Sequence, residues 1–292
     1  MNSLTISQLA QFSGIKAHTI RIWEQRYRAL TPNRTEGNTR TYSDLDLKRL
    51  LNIVSLLDSG YKISELGSLE DEKLSALIGE LYNLEDKENP HQFISQLISA
   101  GMEFNEAAFQ KILSHCFVHF GVFGTYKNVI YPLLNRVGLL WSADVLPPAQ
   151  EHFMCNLIRQ KLAAAIDDLP VPEEGSKKWI LFLPEDEYHE IGLLFAHYVL
   201  KRNGVQAFYL GASVPLSTLQ LAIDNIKPEC LLLFFVHHNF PDNVLSYLSV
   251  IRGSFTQGMI YISGNEKLIS QLNLENKIQW LRNIDDLENT LV

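Results

Sequence analysis

The chain has little of what several protein classes require. Its longest apolar runs, such as Cys230 to Val236, fall far short of the roughly 20 residues that span a bilayer, and its N-terminus opens on polar residues instead of a basic segment followed by an apolar one. A cytoplasmic protein with no membrane association is expected. Only three cysteines occur, Cys116, Cys155 and Cys230, far apart and without a CxxC pair, which argues against a disulfide framework or a thiolate metal cage. No Ser-His-Asp, Walker-type or GxGxxG pattern stands in a persuasive context, so no enzyme is expected. The chain also lacks overall positive charge: its formal net charge is −8, which excludes a protein that coats nucleic acid along its whole length.

What is present is unevenly distributed. Residues 1 to 49 hold eight Lys or Arg (Lys16, Arg21, Arg26, Arg28, Arg34, Arg40, Lys48, Arg49) against Glu24, Glu36, Asp44 and Asp46, a net of +4 that leaves −12 on the remaining 243 residues. At 292 residues and 46% hydrophobic, the chain is too long for one ordinary domain.

Within the basic segment, Leu4, Ile6, Leu9 and Phe12 fall near helical spacing, and Ser13-Gly14 ends the segment with a turn. In Lys16 to Tyr27, Ile20, Trp23 and Tyr27 make an apolar stripe, while His18, Arg21, Gln25 and Arg28 share another face. Two short helices joined by a Gly turn, the second presenting basic and hydrogen-bonding groups, fit a DNA major groove. Asn33 to Tyr42 alternates turn formers with short β-prone pieces and reads as a two-stranded wing. Ser43 then caps a helix through Leu57 that stops at Ser59-Gly60.

Together Ile6 to Ala10, Ser13-Gly14-Ile15, Thr19 to Glu24, Pro32-Asn33-Arg34, Arg40-Thr41-Tyr42 and Gly60 to Ile63 resemble the MerR family of transcription regulators, in that family's order and spacing. The resemblance implies a homo-oligomer, a dimer or tetramer, gripping a two-fold symmetric double-stranded operator. It places Arg21, Arg40 and Tyr42 on the phosphate backbone and Lys16, His18 and Thr19 near base edges, with Arg26, Arg34 and Asn38 as further DNA-facing candidates.

After a helical, charged linker at 71–90, whose apolar residues include Leu74, Leu77 and Ile78, flexible attachment of the DNA-binding domain (1–70) is expected. Helical patterns near His91 to Ala100, Asn105 to Phe117, Gly124 to Leu140 and Pro148 to Asp167 predict a four-helix bundle over 91–170. From 176 to 292 strands at Trp179 to Leu183, Ala207 to Leu210, Leu231 to Val236, Met259 to Ile262 and Ile278 to Leu281 alternate with helices. That order predicts a doubly wound, Rossmann-like parallel sheet, and hence a multidomain α and α/β chain.

At the end of the first of these strands stands Glu187-Tyr188-His189-Glu190-Ile191-Gly192. An imidazole on a loop above such a sheet can offer one nitrogen to a metal while a carboxylate orients the other. This D/ExHxxG loop resembles that of cobalamin-binding modules, and the resemblance implies that His189 is the lower axial ligand of cobalt. Trp141 followed by Glu151-His152 is similar to the W-x9-EH pattern of the bundle that covers cobalamin in light-sensing MerR-type repressors. Gly211-Ala212-Ser213-Val214-Pro215 resembles their GAxVP turn. The implied cobalamin site comprises Trp141, Glu151, His152, Glu187, His189, Gly192, Ser213, Val214, Phe234 and Gly264, between bundle and sheet, and the chain becomes a cobalamin-modulated repressor.

The chain departs from that pattern at Ser142, where those repressors carry a His that serves light sensing. It departs again at Phe234-Phe235-Val236 and Gly264-Asn265, where cobalamin modules have a small Ser and a Gly-Gly. Two bulky rings would fill the channel of the nucleotide tail. The main alternative is a cobalamin-independent regulator whose sheet edge, bundle or His237-His238 loop binds a partner protein. A metal-responsive regulator using His115, Cys116 and His119 is a third reading.

Overall fold

The short capping signals of the N-terminal segment are realised atom by atom in a computed structural model, which describes residues 4–35, 37–58, 60–81, 90–142, 146–236, 244–274 and 277–291. Thr5 and Gln8 form a capping box at the start of α1 (Ile6–Ser13), and Gly14 closes it in the left-handed region at φ 75°. After α2 (Ala17–Tyr27), strands β1 (Asn33–Arg34) and β2 (Arg40–Thr41) pair antiparallel as the wing. Ser43 and Asp46 cap one another ahead of α3 (Asp44–Asp58), which is followed by α4 (Ile63–Leu66) and α5 (Asp71–Leu81).

The helices α6 (Pro90–Met102), α7 (Glu106–Thr125), α8 (Tyr131–Ser142) and α9 (Pro148–Asp167) follow. Gly121, at φ 68° and ψ 173°, breaks α7, and a turn of π-helix at Tyr126–Ile130 leads into α8. The break is pinned by the Thr125 hydroxyl, which donates to the Cys116 carbonyl at 2.7 Å. Gly101 of α6 lies against Met154 of α9, where a Cβ would stand 2.2 Å from Sδ and the methionine side chain would have to shift.

The described residues form two compact units, 1–158 and 159–292. The first joins the winged helix-turn-helix directly to the bundle helices, and this corrects the expectation of flexible attachment. The reason lies in α3, where Leu47, Leu50, Leu51, Ile53 and Leu56 are all fully buried. A helix apolar around most of its circumference needs cover on more than one side. α1, α4 and α5 supply one side and α6 the other. The α3–α6 contact also buries polar groups, Asn52 and Ser55 from α3 and Gln92, Ser95, Gln96 and Ser99 from α6, and the Ser99 hydroxyl donates to Asn52 Oδ1 at 3.0 Å. Lys48 and Glu103 pair at its rim, 2.7 Å apart. The charged part of the expected linker lies outside the described residues.

The second unit alternates strand and helix: β3 (Lys178–Pro184), α10 (Ile191–Arg202), β4 (Gln206–Val214), α11 (Leu216–Ile226), β5 (Cys230–Phe235), α12 (Val244–Ser254), β6 (Met259–Gly264), α13 (Glu266–Ile269), β7 (Ile278–Trp280) and α14 (Ile284–Asn289). The strands are parallel in the order β4-β3-β5-β6-β7, so the chain order reverses between β3 and β5. In an open α/β sheet that switch point is where ligands enter, at the carboxyl ends of the strands. Ile180, Phe182, Leu231, Leu233 and Phe235 face α11 and α12 in one buried cluster. The short helices α4, α13 and α14 carry too few residues to show a helical period and were not anticipated. No helix of the described residues is long and apolar enough to cross a membrane.

Candidate functional site

On the winged helix-turn-helix, Lys16, His18, Arg21, Gln25, Arg26 and Arg28 are exposed and Thr19 is half-buried. They stand on α2 or at its ends, with Ile20 turned into the core. At the wing tip the exposed Arg34 donates to Asn38 Oδ1, and Asn38 sits at φ 59°, a turn conformation that asparagine tolerates.

Glu24 ties this helix to the wing: one carboxylate oxygen accepts from Arg40 Nε at 2.9 Å and the other from the Tyr42 hydroxyl at 3.0 Å. The hydrogen bond and charge of Glu24 raise the Arg40 pKa, and burial followed by its own hydrogen bond to Glu24 raises that of Tyr42. Tyr42 is 1% exposed, so the expectation that its hydroxyl reaches a phosphate is corrected: it braces the wing from within. Arg40 keeps part of its guanidinium at the surface while Glu24 fixes its direction.

Arg49, counted with the basic face in the sequence, has a structural task. Its guanidinium donates to the carbonyls of Ala29 (2.7 Å), Gly67 (2.9 Å) and Leu69 (2.7 Å) and pairs with Asp71, stapling the α2 exit and the α4–α5 connection to α3.

In the second unit the ExHxxG loop sits at the switch point. Glu187 has no exposed surface, and both of its carboxylate oxygens accept from backbone N–H groups. Oε1 accepts from the backbone N–H of Tyr188 (3.0 Å) and His189 (3.1 Å), and Oε2 accepts from Val236 N–H at the end of β5 (2.9 Å). The carboxylate thus bridges the two strands that flank the reversal. His189 Nδ1 stands 2.6 Å from Oε1; because a carboxylate only accepts, Nδ1 carries the proton of this contact, and in the neutral imidazole the lone pair then lies on Nε2. The His189 side chain is 48% exposed.

Ser213 locks the loop from β4. Its N–H donates to the Glu187 carbonyl (3.1 Å), and its hydroxyl accepts from Asp186 N–H (3.2 Å). The GASVP segment is the bulged end of β4 instead of a turn after it, with register shifts against β3 and positive φ at Gly211 and Ser213. On the other side of His189, Glu190 holds the Tyr209 hydroxyl at 2.9 Å and the Arg159 guanidinium at 2.7 Å. Sequence reasoning missed this trio, because nothing local to Arg159 or Tyr209 announces a partner 31 or 19 residues away.

His197 stacks on Tyr209, and burial, with the Lys201 charge adding to it, lowers its pKa from 6.5 to about 4. The folded unit therefore holds a neutral imidazole that the unfolded chain protonates near 6.5, so stability is lost as pH falls through the window from about 6.5 to about 4. Urea midpoints are expected to be lower at pH 5 than at pH 7.5, and His197→Phe is expected to narrow the difference.

The expectation of two rings in one channel is also corrected. Phe234 and Phe235 point to opposite faces of β5: Phe235 is buried in the core beside Tyr247, and only the half-buried Phe234 lies on the α10 face. Gly264, at φ 122°, lets β6 pass so close that a Cβ would meet the Phe235 carbonyl at 2.2 Å. Asn265 N–H donates to that carbonyl (2.7 Å) and its side chain caps α13. Val214 is buried and Gly192 is the second residue of α10. In the first unit Trp141 is exposed at the end of α8, Glu151 is half-buried in the first turn of α9 and His152 is exposed. The Ser142 side chain and the His237-His238 loop lie outside the described residues.

With this geometry in hand, the comparisons define the class. Residues 4–73 match the MerR HTH family regulatory protein model, and residues 93–166 match the B12 binding domain model. The chain carries a MerR-type helix-turn-helix domain followed by a B12-binding domain. It is homologous to two proteins of Myxococcus xanthus. It is 28% identical to the HTH-type transcriptional repressor CarH over 264 residues (89% of this chain, 88% of CarH). It is 29% identical to the HTH-type transcriptional repressor CarA over 254 residues (84% and 81%). Among solved structures, the monomethylamine corrinoid protein of Methanosarcina barkeri shares the fold, with a TM-score of 0.54 at 16% identity over 68% of this chain and 97% of that one.

Proposed function

We propose that the protein is a cytoplasmic, DNA-binding transcriptional repressor modulated by cobalamin, without catalytic activity, and that it acts as a homo-oligomer on a two-fold symmetric operator. The observation that carries this reading is the Glu187–His189 pair at the switch point of a parallel sheet, in a chain whose other parts match MerR and B12-binding models.

The donor set fits the group. A buried carboxylate that holds Nδ1–H of a half-exposed imidazole is the arrangement by which proteins orient a histidine toward a metal. His189 would ligate cobalt, Glu187 would orient it, and Ser213 and Glu190 would keep the loop in place from either side. Cobalamin, when bound, would supply a cobalt centre for the imidazole and a strong visible chromophore. Phe234, at the carboxyl end of β5, is the side chain that must turn to admit the nucleotide tail.

The DNA-binding half of the proposal rests on the exposed cations of α2 and the wing, once Arg49 is set aside as a staple and Arg40 as a partly neutralised brace. Arg21→Ala is expected to weaken binding about tenfold, to a selected operator and to random DNA alike, and to lower the salt slope by about one ion, as befits a phosphate contact. His18→Ala should weaken the operator more than random DNA. Titrations of the full chain at several salt concentrations check both; wild-type affinity and slope for Arg21→Ala would remove it from the interface.

A further inference from the structure

His115 and His119 stand one turn apart on α7, outside both sites described above. Their rings are nearly parallel, 8° between planes, with centroids 5.8 Å apart. Residues at i and i+4 share one face of a helix, and that spacing is how a helix offers two imidazoles to one ion. His119 is exposed and His115 half-buried. Phe93 of α6 lies against His115 at 5.5 Å, and Phe120 stands edge-on to His119 at 4.8 Å. The stacked planes direct their in-plane lone pairs alongside one another, so a rotamer change is needed for both imidazoles to meet one ion.

The structure divides the His-Cys-His trio that the sequence suggests. Cys116 turns inward with no exposed surface, and burial pushes its thiol up to about 12. Facing the core, it does not share the outer helix face of the two imidazoles. Among the described residues no group of three or more His, Cys, Asp or Glu is placed to hold a metal. What remains is a pair of imidazoles one turn apart on one helix face.

We propose that His115 and His119 bind a borderline divalent transition-metal ion, of the class Cu2+, Ni2+ or Zn2+. Imidazole suits these ions, whereas Mg2+ and Ca2+ take oxygen donors. Within that class affinity should follow the usual order, with Cu2+ tightest. The site is linked to the DNA-binding head by packing: His115 rests on Phe93 of α6, the helix that covers α3.

The test uses full-length, untagged, chelator-stripped protein titrated with Cu2+ and followed by electron paramagnetic resonance. One equivalent is expected to bind first, with a nitrogen hyperfine pattern that counts two imidazoles. His119→Gln, at an exposed position that leaves the fold intact, is expected to lose about tenfold or more in affinity and to show a single nitrogen. His115→Gln should do the same, and its circular dichroism reports whether the packing on Phe93 survives. His189→Ala should leave this equivalent unchanged. Saturating Zn2+ should raise the melting temperature of wild type and not of His119→Gln, because an ion that binds only the folded helix stabilises it. Wild-type Cu2+ affinity with a two-nitrogen pattern in His119→Gln would overturn the proposal and assign the ion to another pair among the nine histidines.

Discussion

His189→Ala is expected to retain cobalamin about 10- to 100-fold less well than wild type through gel filtration, and whatever it retains should show the spectrum of cobalamin without a protein imidazole on cobalt. The substitution removes the imidazole at the switch point and leaves the Glu187 carboxylate with its backbone donors at Tyr188, His189 and Val236. The loop should therefore keep its shape, and wild-type circular dichroism would assign the loss to the missing ligand. Glu187→Gln should behave differently. An amide presents N–H toward backbone N–H groups that need an acceptor, so the loop itself should loosen, at about 1–3 kcal/mol of stability, and retention should fall with it. Equal retention by wild type and His189→Ala, with equal spectra, would sink the axial role even if cobalamin adhered to the protein. Should wild type retain none while Phe234→Ser does, the half-buried ring is a plug, and the domain is a cobalamin fold turned to another partner.

Arg49→Ala is expected to cost about 3–5 kcal/mol, enough to unfold the DNA-binding head of a chain of ordinary stability. The mechanism is loss of one charged donor that serves three carbonyls at 2.7–2.9 Å, together with the Asp71 carboxylate. Truncation would leave the carbonyls of Ala29, Gly67 and Leu69 without that donor, and each buried carbonyl so stranded is costly. Arg49→Lys should recover only part of the loss, because an ammonium lacks the planar fork that reaches several acceptors at once. Urea unfolding followed by tryptophan fluorescence, which senses Trp23 on α2, measures the effect. DNA affinity should fall with stability, but at temperatures where the variant is folded the salt slope should stay that of wild type, in contrast to Arg21→Ala. A changed slope in folded Arg49→Ala would make it a phosphate contact after all.

These two predictions sit at opposite ends of what could be read in advance. His189 was legible because its signal is local: strand, loop, ExHxxG and helix fall within about fifteen consecutive residues, and the open α/β architecture dictates where such a loop goes. Arg49 was not, since a basic residue on a basic segment looks the same whether it faces a phosphate or three backbone carbonyls. The acceptors lie 18 to 20 residues away, on connections with no pattern of their own. Tyr42 misled for a similar reason: its place beside the wing suggested DNA, while its backbone pairs with Leu4 and its buried ring reaches Glu24.

The sequence by itself determined the order of domains, the helix-turn-helix and its wing, the alternation of strands and helices, and the position of the candidate cobalt ligand. All of these follow from short-range chemistry: caps at Thr5 and Ser43, a left-handed glycine at 14, and apolar runs of strand length bounded by turns. Tertiary structure alone decided that the head packs on the bundle through α3 and α6, that Phe234 and Phe235 part to opposite faces, and that Glu190 gathers Tyr209 and Arg159 beside His189. Burial on several sides at once and pairing between distant residues depend on how elements pack, and no window of neighbouring residues encodes that packing.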